Sequence, residues 1–245
     1  MLLRDNVHFY PSPAGLDFSG EINSNSVLVT GSKHVLIDPG LSKRWEELKE
    51  KIVADGIDLS DIGLIFCTHS HPDHAEAACR AATELGADLL MALAELDFFV
   101  QGGAIFYYRT EEGVYLPIKG NFPVFETPDL NRFIKGFPGP FFFAEHKFRL
   151  FLTPGHTPGC MSLHWPDRGL LVTGDVYFPG TIGSVELFGG SPSSMYRSVR
   201  LLSGLQDVDL VLCGHGGPLE GRQAVEDNYR ALMAEIEDKK AKGVI

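Results

Sequence analysis

What this 245-residue chain lacks already removes several classes of protein. No apolar run approaches the roughly 20 residues that a membrane-spanning helix needs, so no membrane partner is expected. Positive charge is scarce: 21 Lys and Arg stand against 32 Asp and Glu, a formal net charge of −11. A general nucleic-acid binder relies on a basic surface, and this balance argues against one. Cys67, Cys79, Cys160 and Cys213 are the only cysteines, and their spacing fits neither a metal ribbon nor a redox pair. The opening Met1-Leu2-Leu3-Arg4-Asp5-Asn6 is charged too early for a signal peptide, so the expected location is the cytoplasm. Tandem repeats and low-complexity tracts are also missing. What remains, with 44% hydrophobic residues, suits one globular domain spanning 1–245 with a substantial core.

Histidine, by contrast, is concentrated. Thr68-His69-Ser70-His71-Pro72-Asp73-His74 follows the apolar run Leu64-Ile65-Phe66-Cys67 and precedes an alanine-rich segment. That context reads as a buried strand, a loop and then a helix over 75–85, closed by Gly86. Three imidazoles and a carboxylate so close together are costly in a core unless compensated. Neutral imidazole nitrogens and a carboxylate oxygen are good ligands for a divalent transition metal, which is the simplest compensation.

Three more ligand types recur in a matching context. His156 lies in Thr153-Pro154-Gly155-His156-Thr157-Pro158-Gly159, Asp175 in Thr173-Gly174-Asp175, and His215 in Cys213-Gly214-His215-Gly216-Gly217. Each follows an apolar strand-like run and has glycine beside it, where the backbone can turn sharply.

The set His69, His71, Asp73, His74, His156, Asp175 and His215 resembles the complete ligand pattern of the metallo-β-lactamase superfamily. The resemblance runs from about residue 27 to 217 and implies an α/β fold, a four-layer αββα sandwich with the metals at one edge. It further implies that His69, His71 and His156 hold one metal, that Asp73, His74 and His215 hold a second, and that Asp175 bridges them. Asp73 is expected to serve catalysis as well, and Asp38 to support the ligands from behind. The cofactors implied are two divalent ions, zinc first, with iron or manganese acceptable to the same donors. Two such ions can share a water and convert it to hydroxide near neutral pH, which would attack a carbonyl without any serine or cysteine nucleophile. Ser70, Ser191 and Ser194 are therefore given no such role.

Within the superfamily the sequence is most similar to the glyoxalase II-like branch, which implies hydrolysis of a small ester, thioester or lactone. A convincing set of basic residues for a glutathione carboxylate is not found; Lys119, Lys135, Arg197 and Arg200 are candidates in name only. Two alternatives stand beside this reading: a mononuclear iron sulfur dioxygenase of the same fold, and a non-catalytic metal-binding module.

Along the chain, Val27-Leu28-Val29 and Val35-Leu36-Ile37 read as a hairpin, followed by a helix over 42–54 that Ser42 could cap. A strand over 89–92 comes after the histidine cluster. The stretch 96–145 holds ten of the 17 phenylalanines, broken by five prolines, and reads as an aromatic-rich insertion. Phe106-Tyr107-Tyr108 and Phe141-Phe142-Phe143 could build a substrate wall, an ordinary satellite core or a contact with another copy of the chain, so a homo-oligomer is admitted. Strands are expected over 148–152, 160–165 and 210–212, with a helix over 193–205. Val225, Tyr229, Leu232 and Ile236 mark a closing amphipathic helix. His8, His34, His146 and His164 lack companion ligands, and His164 is expected at the surface. Tyr177 is read as a packing residue.

Overall fold

In the computed structural model, residues 1–12, 23–95, 107–109, 115–117, 133–187 and 189–242 are described. The first half opens with strands β1 (Leu2–Arg4), β2 (Val7–Tyr10), β3 (Ser26–Val29) and β4 (His34–Ile37), then helix α1 (Trp45–Ala54) and strand β5 (Ile62–Phe66). Helices α2 (Pro72–Ala75) and α3 (Ala78–Leu85) lead to β6 (Asp88–Ala92), β7 (Tyr107–Arg109), β8 (Tyr115–Pro117) and β9 (Phe133–Gly136). The second half holds β10 (Gly139–Phe143), β11 (His146–Leu152), β12 (Met161–Trp165), β13 (Leu170–Gly174), β14 (Tyr177–Phe178) and β15 (Thr181–Ile182). Helix α4 (Pro192–Ser203), β16 (Leu210–Cys213), β17 (Leu219–Glu220) and helix α5 (Arg222–Ala241) complete it.

Among the described residues two large sheets result, in the orders β1-β2-β3-β4-β5-β6-β9 and β10-β11-β12-β13-β16-β17, beside the two-stranded pairs β7-β8 and β14-β15. Central strands such as β3, β12, β13 and β16 are buried on both faces, so successive side chains enter different layers. Val35 and Ile37 of β4 join Leu163, Val172 and Leu212 in the core between the sheets. Leu36 instead faces Trp45 and Ile52 of α1 and Ala78 and Ala81 of α3. On the far side, Leu171 and Val211 meet Met195 and Val199 of α4 and Val225, Leu232 and Ile236 of α5. The result is the four-layer αββα sandwich that the resemblance implies. Cys67 and Cys79 lie in the first helical layer, buried and outside any disulfide, in agreement with a packing role.

Several local expectations need correction. Ser42 does not cap a helix: its hydroxyl donates to the Glu76 carbonyl, and 42–44 form a 3₁₀ turn before α1. The helix over 75–85 is interrupted, because the Ala77 amide donates to the Gly40 carbonyl at 2.9 Å instead of staying within one helix. Gly86 does end α3, with φ 64°. His164 is not at the surface but fully buried, with Nε2 3.3 Å from Asp207 Oδ1. Its side of β12 is covered by the chain that follows α4.

The aromatic stretch also contributes to both sheets. β9 pairs parallel with β6, and β10 pairs antiparallel with β11. Phe141 and Phe143 pack against the core between the sheets while Phe142 is 67% exposed. Packing thus accounts for Phe141 and Phe143 but not for Phe142; Phe106 lies outside the described residues, as does Lys119.

Candidate metal centre

Every predicted ligand sits just past a strand that ends at the same edge of the sandwich. The parallel pairs β4–β5 and β13–β16 set this up, since parallel strands bring their C-terminal ends together. His69, His71, Asp73 and His74 follow β5, Asp175 follows β13, and His215 follows β16. His156 follows β11, which runs antiparallel to β12 and so in the same direction as β13. The two loops from different sheets are tied directly, the Met161 amide donating to the Thr68 carbonyl at 2.8 Å.

The structure brings all seven side chains together. Donor atoms within 4.8 Å of one another form three overlapping sets: His69, His71, His156; Asp73, His74, His215; and His69, His74, Asp175. The first two are the two ligand groups that the resemblance implies, and the third joins them through Asp175. His74 Nε2 lies 3.2 Å from Asp175 Oδ1, and His215 Nε2 lies 3.2 Å from Asp73 Oδ2 and 3.5 Å from Asp175 Oδ2. His156 Nε2 is 2.8 Å from His71 Nδ1.

Three of the remaining ring nitrogens are held from outside the cluster. His74 Nδ1 donates to Asp38 Oδ2 at 2.8 Å. Asp38 also accepts from the Thr68 amide and hydroxyl, both at 2.8 Å. With its proton committed to Asp38, Thr68 Oγ1 accepts from His69 Nδ1 at 3.1 Å. His156 Nδ1 donates to the Ser184 carbonyl at 2.7 Å. These bonds aim the Nε2 lone pairs of His69, His74 and His156 inward, the arrangement that metal-binding histidines require. Asp38 takes up φ 51°, a left-handed conformation that aspartate tolerates better than most residues. Its expected supporting position is thus occupied; Thr68 and the Ser184 carbonyl are not legible as partners in the sequence.

Fit to a cation follows from what is left unpaired. His69 Nε2, His74 Nε2 and Asp175 Oδ1 are buried and have no hydrogen-bond partner. The short approach of the last two therefore lacks hydrogen-bond alignment. Buried polar atoms are ordinarily satisfied, and three orphans converging on one point are what a cation would relieve.

Electrostatics point the same way. Burial holds His69 well below its ordinary value and His71 down at about 3, with the neighbouring imidazoles adding to both, so both rings are neutral, the form that binds a metal. Burial works against charge on His74 and His215 too, yet the carboxylates outweigh it and push His74 up and His215 to about 9. Burial likewise opposes ionisation of Asp73 and Asp175, but His74 and His215 hold both below the usual carboxylate range. A divalent cation can take the place of those protons.

Space is equally constrained. A Cβ on Gly214 would stand 2.1 Å from Asp175 Oδ1 and 2.5 Å from His74 Cε1. Tyr177 does not reach the cluster as a donor; its buried hydroxyl bonds Tyr229 Oη at 2.8 Å, in agreement with a packing role. Arg197 donates to Ser194 Oγ, and Arg200 lies beside Tyr196.

Among known proteins, the chain is 28% identical over 197 residues to Probable metallo-hydrolase MJ0888 of Methanocaldococcus jannaschii, covering 79% of this chain and 88% of that one. It is 32% identical over 151 residues to the hydroxyacylglutathione hydrolase of Bartonella quintana, covering 62% of this chain. This chain spans about half, 47%, of the length of that relative. The crystal structure of TTHA1623 in a di-iron-bound form superposes with a TM-score of 0.64 at 25% identity, covering 82% of this chain and 91% of that one. A metallo-β-lactamase family protein of Thermus thermophilus gives 0.70 at 21% identity over 97% of this chain and 81% of the other, a likeness of fold. The family model of the metallo-β-lactamase superfamily matches residues 19–215, the span that carries all seven clustered side chains, and the chain belongs to that superfamily.

Proposed function

We propose that this chain is a metal-dependent hydrolase acting on a small ester, thioester or lactone. The observation that carries the reading is the convergence of His69 Nε2, His74 Nε2 and Asp175 Oδ1, all buried and unpaired, inside a shell of four further metal-ligand side chains. His69, His71 and His156 would hold one ion, Asp73, His74 and His215 a second, and Asp175 would face both. Such ions supply Lewis-acid polarisation of a carbonyl and lower the pKa of water. The donor set contains no thiolate, so it suits iron or manganese as well as zinc, and the similarity to a di-iron-bound protein keeps iron in view.

The chain's own residues do the rest. Asp38, Thr68 and the Ser184 carbonyl fix the imidazoles before any substrate arrives. Asp73 and His215 are the open side of the cluster, with side chains 22% and 27% exposed against 0% for His74. Substrate is proposed to enter there, beside the Phe178 ring 5.7 Å from His215, and Asp73 is proposed to accept a proton during turnover. A serine nucleophile finds no support, since Ser70 Oγ is bound by Glu95 and Ser191 Oγ accepts from the Ser194 amide of α4.

Glutathione thioesters are one member of the substrate class, suggested by the hydroxyacylglutathione hydrolase relatives. Because this chain spans half of such a relative and Lys135 is exposed on the edge strand β9, a dedicated glutathione anchor is not part of the proposal. The test is elemental analysis of purified protein together with a screen of thioesters, esters and lactones in air and under nitrogen. Two ions per chain and hydrolysis indifferent to oxygen are expected. One iron per chain, with oxygen consumed on a thiol or persulfide, would overturn the reading.

A further inference from the structure

Glu95 stands three residues beyond β6, and it is fully buried. Its carboxylate accepts four hydrogen bonds. Oε2 takes the Ser70 amide at 2.9 Å and the Ser70 hydroxyl at 2.6 Å. Oε1 takes the Thr157 hydroxyl and the Gly159 amide, both at 2.6 Å. Ser70 lies between His69 and His71, and Thr157 directly follows His156. One carboxylate thus grips, with a different oxygen on each side, the two loops that carry the histidines of the first group.

The fit is close. A Cβ on Gly159 would stand 2.8 Å from Cγ and Oε1 of Glu95 and 2.9 Å from its amide nitrogen, so only glycine lets the carboxylate reach that N–H. The Asp73, His74 and His215 group is held from another direction, through Asp38 on His74.

We propose that Glu95 is a positioning residue, whose carboxylate sets His156 against the His69–His71 pair and thereby tunes that group's affinity for a divalent cation. The proposal rests on reading His69, His71 and His156 as one metal group. A carboxylate is suited to the task because both of its oxygens accept, and each meets a backbone N–H that cannot turn away. Glutamine has the same shape but only one accepting oxygen. In either orientation its NH₂ confronts the Ser70 or the Gly159 amide, and one side of the clamp opens.

Hydrogen exchange on metal-free protein, followed by Co(II) titration, tests this on the parent and on Glu95→Gln. In the variant, exchange should rise at least ~10-fold in segments 68–73 and 153–160 and change less than about 2-fold in 214–217. Co(II) affinity should fall ~10- to 100-fold for one ion and stay within about 2-fold for the other. Uniform loosening of all three segments with equal weakening of both ions would reduce Glu95 to a general structural residue and overturn the proposal. Unchanged exchange in 68–73 and 153–160 would overturn it too. Thr157→Val removes a single donor to Oε1 and should move the same readouts the same way by roughly 3-fold; an unmoved profile there also counts against the clamp. Exchange is read without metal, so a protein that bound no Co(II) would sink the metal reading while the clamp was still decided.

Discussion

The Asp38 carboxylate accepts the Nδ1 proton of His74 at 2.8 Å, with both side chains buried and Asp38 in a left-handed backbone conformation. That bond chooses the tautomer that leaves His74 Nε2 free to face Asp73 and Asp175. Asp38→Asn keeps the backbone preference and one accepting oxygen, but its NH₂ lets His74 accept instead and carry its proton on Nε2. The variant should unfold within about 1–2 kcal/mol of the parent, since one charged acceptor is lost but the site still pairs. Metal affinity of the Asp73, His74, His215 group should fall ~10- to 100-fold. Parallel metal titration and thermal unfolding check this, and unaltered affinity would refute the tautomer argument.

Gly214 tests how tightly the cluster is built. Gly214→Ala puts a methyl 2.1 Å from Asp175 Oδ1 and 2.5 Å from His74 Cε1, so both side chains would have to shift. We expect destabilisation on the order of 1–3 kcal/mol together with loss of at least one bound metal. Gly217→Ala is the control, because a Cβ there meets nothing within 4 Å. Equal metal content in the two variants would contradict the geometry.

The seven clustered side chains were legible in the sequence because each belongs to a local pattern, an apolar strand running into a loop, glycine-flanked around Asp175 and His215. The hairpin of β3 and β4 was legible for a related reason, both apolar runs lying between apolar layers. Short strands such as Leu2–Arg4 carry too few residues to show a period. What escaped was non-local. The break before α3 depends on a hydrogen bond from the Ala77 amide to the Gly40 carbonyl, and the burial of His164 on cover supplied by a loop some 40 residues later. Glu95 belongs to no motif, and its partners are 25, 62 and 64 residues away.

Tyr177 separates packing from chemistry. Its hydroxyl is buried against Tyr229 Oη, so Tyr177→Phe strands one partner and should cost about 1–2 kcal/mol in urea unfolding. Both kcat and kcat/KM should stay within about 2-fold of the parent, as for a residue that touches neither substrate nor transition state. A fall in kcat of roughly 100-fold, the size expected for a lost electrophile, would instead assign Tyr177 to the carbonyl.

Glu84 gives the fold an acid-sensitive contact remote from the metal cluster. Burial raises its pKa, but hydrogen bonds from Trp45 Nε1, Lys49 and Arg80 outweigh this and bring it down to about 2. A carboxylate depressed in the folded state stabilises above its ordinary value of 4.5 and loses that contribution as pH falls towards 2. Glu84→Gln should therefore lower the urea midpoint at pH 6, and the gap from the parent should shrink between pH 4.5 and pH 2. Metal-free protein is the right material, since acid also strips ligands. A gap that stayed constant over this range would assign the effect to packing of the side chain.

The division of labour between Asp175 and His215 bears most directly on the proposed chemistry. Asp175 Oδ2 lies 3.7 Å from His156 Nε2 in one ligand group and 3.5 Å from His215 Nε2 in the other. His215 approaches Asp73 and Asp175 and belongs to one group only. Asp175→Ala should thus weaken both ions, whereas His215→Ala should leave the His69, His71, His156 group near full occupancy. Activity should fall steeply in both, because hydrolysis is proposed to need both ions. Elemental analysis after extensive dialysis distinguishes the variants: close to none for Asp175→Ala and close to one for His215→Ala. Full metal content in Asp175→Ala would show that this carboxylate stands between the two groups without serving either.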